Sequence, residues 1–163
     1  MIKIKVKKLD HESFRPYGDF VALIRPDEFY GDAPVMFTPD MLQLPVSQHD
    51  LSSYSVCRAM PRDMIVTTSE YHSSAWEANI PLEGDIVVHV APANASGKIE
   101  PEKFEAFLIP KGTVVTFKPG VWHFAPYPVD CPVSTVVVLP ERTYKNDCVV
   151  VRHTEEQYLE LEL

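Results

Sequence analysis

Two short stretches of this sequence gather side chains that can move protons or hold a metal ion. The first is Glu70-Tyr71-His72-Ser73-Ser74-Ala75-Trp76-Glu77, with Gly84 beyond it. Glu70 and His72 are two residues apart, so on a strand they point to one face. Glu77 lies past a bend, from which a neighbouring strand can bring it back to the same spot. The second stretch is Gly112-Thr113-Val114-Val115-Thr116-Phe117-Lys118-Pro119-Gly120-Val121-Trp122-His123. Two carboxylates and two imidazoles suit two kinds of chemistry. They can hold one divalent ion, with Glu70, His72, Glu77 and His123 as ligands. The mixture of oxygen and imidazole donors does not choose among Mn, Fe, Ni and Zn. They can also transfer protons, because imidazoles titrate near neutrality. That makes His72, Glu77 and His123 the candidate catalytic residues. The alternative is a metal-free pocket in which Glu70 and Glu77 are hydrogen-bonded or paired with a basic partner.

Other residues are weighed around this set. Trp76 and Trp122 flank it and are candidates for substrate contact; core or pocket wall is the competing reading. Arg58, a lone cation in Tyr54-Ser55-Val56-Cys57-Arg58, can hold a substrate carboxylate through a bidentate pair, against a surface salt bridge. His89, within Ile86 to Val90, reads as a satisfied core histidine, and His11, His49 and His153 read as exposed. Cys57, Cys131 and Cys148 form no Cys-x-x-Cys pair, have no local activator and fit a reducing cytoplasm. No Ser-His-Asp ordering, phosphate loop or His-Glu-x-x-His helix is present.

The elements that must position these groups are mostly strands. The 15 prolines break helix interiors. Ile2, Ile4 and Val6 alternate with lysines, which predicts a half-buried strand. Asp10 caps one helical turn at 11–15, with Leu9 and Phe14 as a hydrophobic staple, and 20–24 resumes as strand. Residues 25–50 read as an irregular excursion that covers the barrel or meets a second subunit. Strands are expected at 53–59, 63–68, 75–80, 85–91, 105–109, 113–118, 121–125 and 133–139, separated by turn signals, a spacing that suggests a barrel or sandwich. A helical turn is expected at 101–104, and Thr154 to Gln157 fits a capping box opening a helix near 155–160. The expected layout is one domain over 1–163: N-terminal strands and excursion to residue 50, barrel over 51–152, helix from 153.

Composition narrows the partners. The net charge of −8 argues against nucleic acid, which demands clustered Lys and Arg, and against a polybasic membrane anchor. No apolar run is long enough to span a bilayer. The expectation is a cytoplasmic protein with a small-molecule partner, no nucleic acid and no membrane.

The two stretches together resemble the cupin superfamily. Cupins carry His-x-His, three or four intervening residues, a Glu, six intervening residues and a Gly; here His72, Glu77 and Gly84 match, with Glu70 in place of the first His. Their second motif matches Gly112, Gly120 and His123, with Lys118 where a Pro is usual. A narrower resemblance is to ureidoglycolate lyase. It is carried by Phe14-Arg15-Pro16-Tyr17-Gly18-Asp19, Glu70-Tyr71-His72, Glu77-Ala78-Asn79-Ile80-Pro81, Val88 to Ala91, Ala106 to Ile109, Val121-Trp122-His123 and Asn146-Asp147-Cys148. Glu77 replaces a family Gln, and Phe124 the second His of a His-His pair. The resemblance implies an all-β cupin barrel (a double-stranded β-helix) with a short C-terminal helix, paired as a homodimer. It implies a carbon–nitrogen lyase that cleaves ureidoglycolate, a small carboxylate, to glyoxylate and urea. The rivals are a metal-dependent cupin isomerising a sugar acid and a non-catalytic small-molecule binder.

Overall fold

Alternation between apolar and charged residues at the N-terminus produces the first strand, and the same period recurs along most of the chain. The computed structural model describes residues 1–24, 26, 30–47 and 50–163. In chain order the elements are β1 (Ile2–Lys8), α1 (His11–Phe14), β2 (Phe20–Ala22), β3 (Ser52–Ala59), β4 (Ile65–Val66), β5 (Thr68–Tyr71), β6 (Glu77–Pro81), β7 (Ile86–Val90), β8 (Glu105–Ile109), β9 (Thr113–Phe117), β10 (Tyr127–Pro128), β11 (Val133–Pro140), α2 (Thr143–Asn146), β12 (Val149–Arg152) and β13 (Leu159–Glu162). One sheet has the order β10-β7-β8-β1-β13-β4, a second β2-β9-β6-β11-β3, and β5 pairs separately with β12. This is an all-β, cupin-like barrel. None of its described helices is long and apolar enough to cross a membrane.

The barrel interior is filled by one face of each large sheet. Ile86, Val88 and Val90 of β7 meet Phe107 and Ile109 of β8, Val115 and Phe117 of β9, and Val133 of β11. Phe14 closes one end, fully buried. Its turn is fixed as the sequence indicates: Asp10 accepts from the N–H groups of Glu12 and Ser13 at 3.1 and 3.0 Å, and Leu9 packs on the same cluster. Gly18 lets this segment dock on β9. A Cβ there would stand 1.6 Å from the Thr116 carbonyl oxygen, so any side chain would push the backbones apart. A second cluster, including Val66, Trp122, Leu159 and Leu161, packs on the other face of β7 and β8.

Several expectations change. The Thr154 capping box exists, but it opens only a 3₁₀ turn, Glu155–Gln157. The expected C-terminal helix is instead β13. Leu159-Glu160-Leu161-Glu162 alternates with period two, and parallel pairing with β1 sets Leu159 beside Ile2 and Leu161 beside Ile4. Burial of both leucines outweighs the helical start signal. The stretch 121–125 is not a strand; it contributes isolated bridges from Trp122 to Ala91 and from His123 to Glu70. β12 and α2 carried no prior expectation. In the excursion, Leu42 and Leu44 cover the outer face of the second sheet against Ala78, Val114 and Val138, which accords with the covering role. His49 lies outside the described residues. His153 is buried, not exposed.

Candidate active site

β5 delivers Glu70 and runs directly into His72. A two-way backbone bridge lays His123 alongside: the Glu70 N–H donates to His123 O at 2.6 Å, and the His123 N–H to Glu70 O at 2.9 Å. Gly120 permits this approach. Its N–H donates to His72 O at 2.7 Å, its φ is +80°, and a Cβ there would sit 2.8 Å from that of Ala93. β6 opens on Glu77, paired in register with Phe117 of β9. The Phe117 ring stacks on His123 at 4.9 Å between centroids.

Both imidazoles are held by their outer nitrogens. His72 Nδ1 lies 2.6 Å from Asp147 O, and His123 Nδ1 lies 2.9 Å from Val121 O. A carbonyl only accepts, so each Nδ1 carries a proton and each Nε2 faces inward. There both meet one atom, Glu77 Oε2, at 3.0 Å from His72 and 3.3 Å from His123. All three residues are buried. Burial opposes the charge of Glu77, but His123's charge and the hydrogen bonds from both histidines outweigh it and hold the carboxyl well below its usual range. Burial likewise opposes the charge of His123, yet Glu77 overcomes it and raises the imidazole pKa above its ordinary value. The pair is a buried carboxylate and imidazolium.

Residues not singled out by motif complete the arrangement. Asp147 shapes the bend after β5: its carboxylate accepts from Ser73 N at 2.6 Å, Ser74 N at 2.9 Å, Ser74 Oγ at 2.8 Å and Ala75 N at 3.1 Å. Its carbonyl is the one that orients His72. Asn79, two residues from Glu77 on the same strand face, donates to Glu77 Oε1. The Cys148 thiol lies 3.4 Å from Glu70 Oε2; burial first, then Glu70, pushes its pKa up to about 12. Asn79 was legible from strand parity, and Asp147 had only its place in the 146–148 cluster.

Donor atoms of Glu70, His72 and His123 lie within 4.8 Å of one another. Each Nε2 points inward and is backed by an Nδ1 proton on a carbonyl, the support usual for an imidazole that binds a metal once its inward proton has left. Glu77 stands beside this trio, engaged with both rings. These groups line a cavity of about 170 Å³, closed by Phe124, Val137, Leu139 and Tyr144. That is below the roughly 300 Å³ at which drug-sized sites begin, and it suits a small molecule.

Three expected substrate contacts lie elsewhere. Cys57 faces the cavity, so Arg58, next along β3, points to the opposite face. Its guanidinium pairs with Glu83 at 2.6 Å and Ser134 Oγ at 2.7 Å, the surface salt bridge weighed above. Trp76 is opposed to Glu77 by the same parity and lines a separate depression with Asp40 and Met41. Trp122 is core, 1% exposed and edge-on to Tyr71. His89 is also core: Nε2 lies 3.1 Å from Ser69 Oγ, which lies 3.0 Å from His153 Nε2. Its Nδ1 has no partner among the described residues. Burial drives the His89 pKa down to about 3.

The chain is similar to known proteins along nearly its whole length. A profile of the family described as Ureidoglycolate lyase matches residues 1–160. A Burkholderia cepacia protein named ureidoglycolate lyase is 30% identical, covering 83% of this chain and 78% of its own length. Proteins of that name from Salmonella enteritidis PT4 and Salmonella newport are 29% and 28% identical, each covering 75% of this chain and 78% of its own. With two thirds of the relatives' length exceeded and the family profile spanning the barrel and its site, this chain belongs to the ureidoglycolate lyase family.

Proposed function

We propose that this chain cleaves ureidoglycolate to glyoxylate and urea, using His72, Glu77 and His123. The observation that carries the reading is the single Glu77 oxygen shared by two inward imidazole nitrogens. The reaction collapses a carbinolamide: the hydroxyl loses its proton, the carbon–oxygen bond becomes a carbonyl, and the carbon–nitrogen bond breaks as urea nitrogen gains a proton. His123, kept protonated by Glu77, donates that proton. Glu77 Oε2 takes the hydroxyl proton as His123 gives up its own, while His72 Nε2–H stays hydrogen-bonded to that carboxylate and orients it. The proton then passes from Glu77 Oε2 to His123 Nε2, 3.3 Å away, for the next turnover.

Glu70, His72 and His123 are the residues that would hold a divalent ion. Such an ion supplies Lewis-acid polarisation of the substrate's oxygen atoms. With an ion there, both Nε2 atoms would be ligands and Glu77 would be left free to accept a proton. Chelation before assay, with and without added Mn²⁺, Fe²⁺, Ni²⁺ or Zn²⁺, separates the two states.

The same reading makes this a cytoplasmic enzyme acting as a homodimer. Support for pairing comes from exposed Tyr30, Val35, Met36 and Phe37 in the excursion and Tyr54 and Val56 on β3, the edge strand of its sheet. Light scattering measures the mass directly. The activity is tested by urea and glyoxylate release from ureidoglycolate. Equal amounts of both products, lost in His123→Ala, support the assignment; an unchanged variant overturns the role of His123.

A further inference from the structure

Taking the cavity as one that receives a small carboxylate, as just proposed, we infer that Arg62 holds the substrate's carboxylate at the cavity mouth. The described cavity wall offers no lysine or arginine, and it carries Glu70 and Glu77. An anionic substrate therefore needs a cation from just outside the wall. Arg62 is placed there. Its Nη2 donates to Ala125 O at 3.1 Å, and Ala125, with Phe124 and Pro126, forms part of the wall. A longer contact of 3.5 Å joins Nη1 to Met60 O. The guanidinium lies 3.9 Å over the centre of the Tyr127 ring, which fixes its plane.

Arg62 is exposed, and no carboxylate pairs with it among the described residues. A guanidinium has five N–H donors in a rigid fork, so donors remain for a ligand. Its field also reaches the cavity wall: burial raises the Cys57 thiol pKa, and Arg62 is the charge that opposes this. Arg58, three residues after Ser55 on the outer face of β3, is already neutralised by Glu83. With the carboxylate outward on Arg62, the hydroxyl-bearing carbon of the substrate points inward to His72, Glu77 and His123.

The test compares Arg62→Gln, Arg62→Lys and Arg58→Gln with the unmodified chain. Thermal midpoints first establish that each variant is folded. For ureidoglycolate cleavage, Arg62→Gln is expected to raise KM roughly 10- to 100-fold, the size of one hydrogen-bonded charge pair, with kcat within about threefold. Arg62→Lys falls between, because it keeps the charge and loses the fork, and Arg58→Gln stays within twofold. A KM for Arg62→Gln within twofold of the unmodified chain overturns the inference. Calorimetric binding of glycolate against neutral glycolamide distinguishes this from failure of the reaction assignment. If the unmodified chain cleaves no ureidoglycolate yet prefers glycolate, and Arg62→Gln abolishes the preference, Arg62 stands and the reaction falls. Equal binding of the two probes by both chains overturns Arg62 regardless of turnover.

Discussion

Replacing Asp147 by Asn tests how the barrel presents His72. The carboxylate accepts from four donors: Ser73 N on Oδ1, and Ser74 N, Ser74 Oγ and Ala75 N on Oδ2. An Asn has one oxygen and one NH₂ group. With its oxygen toward Ser74 and Ala75, the NH₂ confronts the Ser73 N–H; flipped, it confronts the other three. At least one bond is lost, and a donor is set against a donor. Each net bond contributes about 1 kcal/mol, and those to a charge about 1.5–3 kcal/mol. Because Asp147 is partly exposed, solvent softens the loss, and about 2 kcal/mol is expected. For a chain of this size that lowers the thermal midpoint by roughly 4–8 °C. The bend at 73–75 then loosens, and with it the ring held by the Asp147 carbonyl. A fall in kcat of roughly 10- to 100-fold is expected, as for other groups that orient an active imidazole. Scanning calorimetry and steady-state kinetics read both quantities. An unchanged midpoint and kcat would show that Asp147 does not hold the bend or present His72.

Three further outcomes follow from the buried groups. In chelator-treated protein, stability should peak near pH 6.5. The unfolded chain protonates His89 from about 6.5 while the folded chain resists until about 3, so this contribution is full above 6.5 and falls by about 1.4 kcal/mol per pH unit below it. His123 has the opposite sign, its contribution being full below 6.5 and lost as pH rises through its raised folded value. Urea midpoints across pH 4–8 should show this peak, and His89→Phe should flatten the acid limb. Iodoacetamide at pH 7.5 should label exposed Cys131 and spare Cys148, whose thiol is pushed up to about 12; mass spectrometry of the digest identifies the labelled thiol. Gly120→Ala should lose most activity, since a Cβ meets Ala93 and the φ is positive; a fully active variant contradicts the role given to that turn.

The reacting groups were legible because their spacing is local. Glu70 and His72 share a face by parity, and the Pro119-Gly120 turn announces His123. What positions them was not legible. Asp147 reaches His72 across 75 residues, a separation that no local period reports. Arg58 illustrates the same limit: Tyr54-Ser55-Val56-Cys57-Arg58 has no clear alternation, and only pairing with β11, which sets Cys57 beside Thr135 and Arg58 beside Ser134, decides which side faces the cavity. Trp122 and Trp76 sit next to site residues in sequence and therefore on the opposite face. At the C-terminus a genuine capping box was overridden by tertiary burial of Leu159 and Leu161 against the sheet. The barrel itself followed from alternation, proline and turn signals, which agree along most of the chain.

The central claim is most directly tested by supplying ureidoglycolate to the purified chain and measuring glyoxylate and urea together, alongside His123→Ala and His72→Ala. Equimolar release by the unmodified chain is expected, with a loss of at least about 100-fold in either variant. No release with or without added divalent ion, or release that survives both substitutions, would contradict the claim.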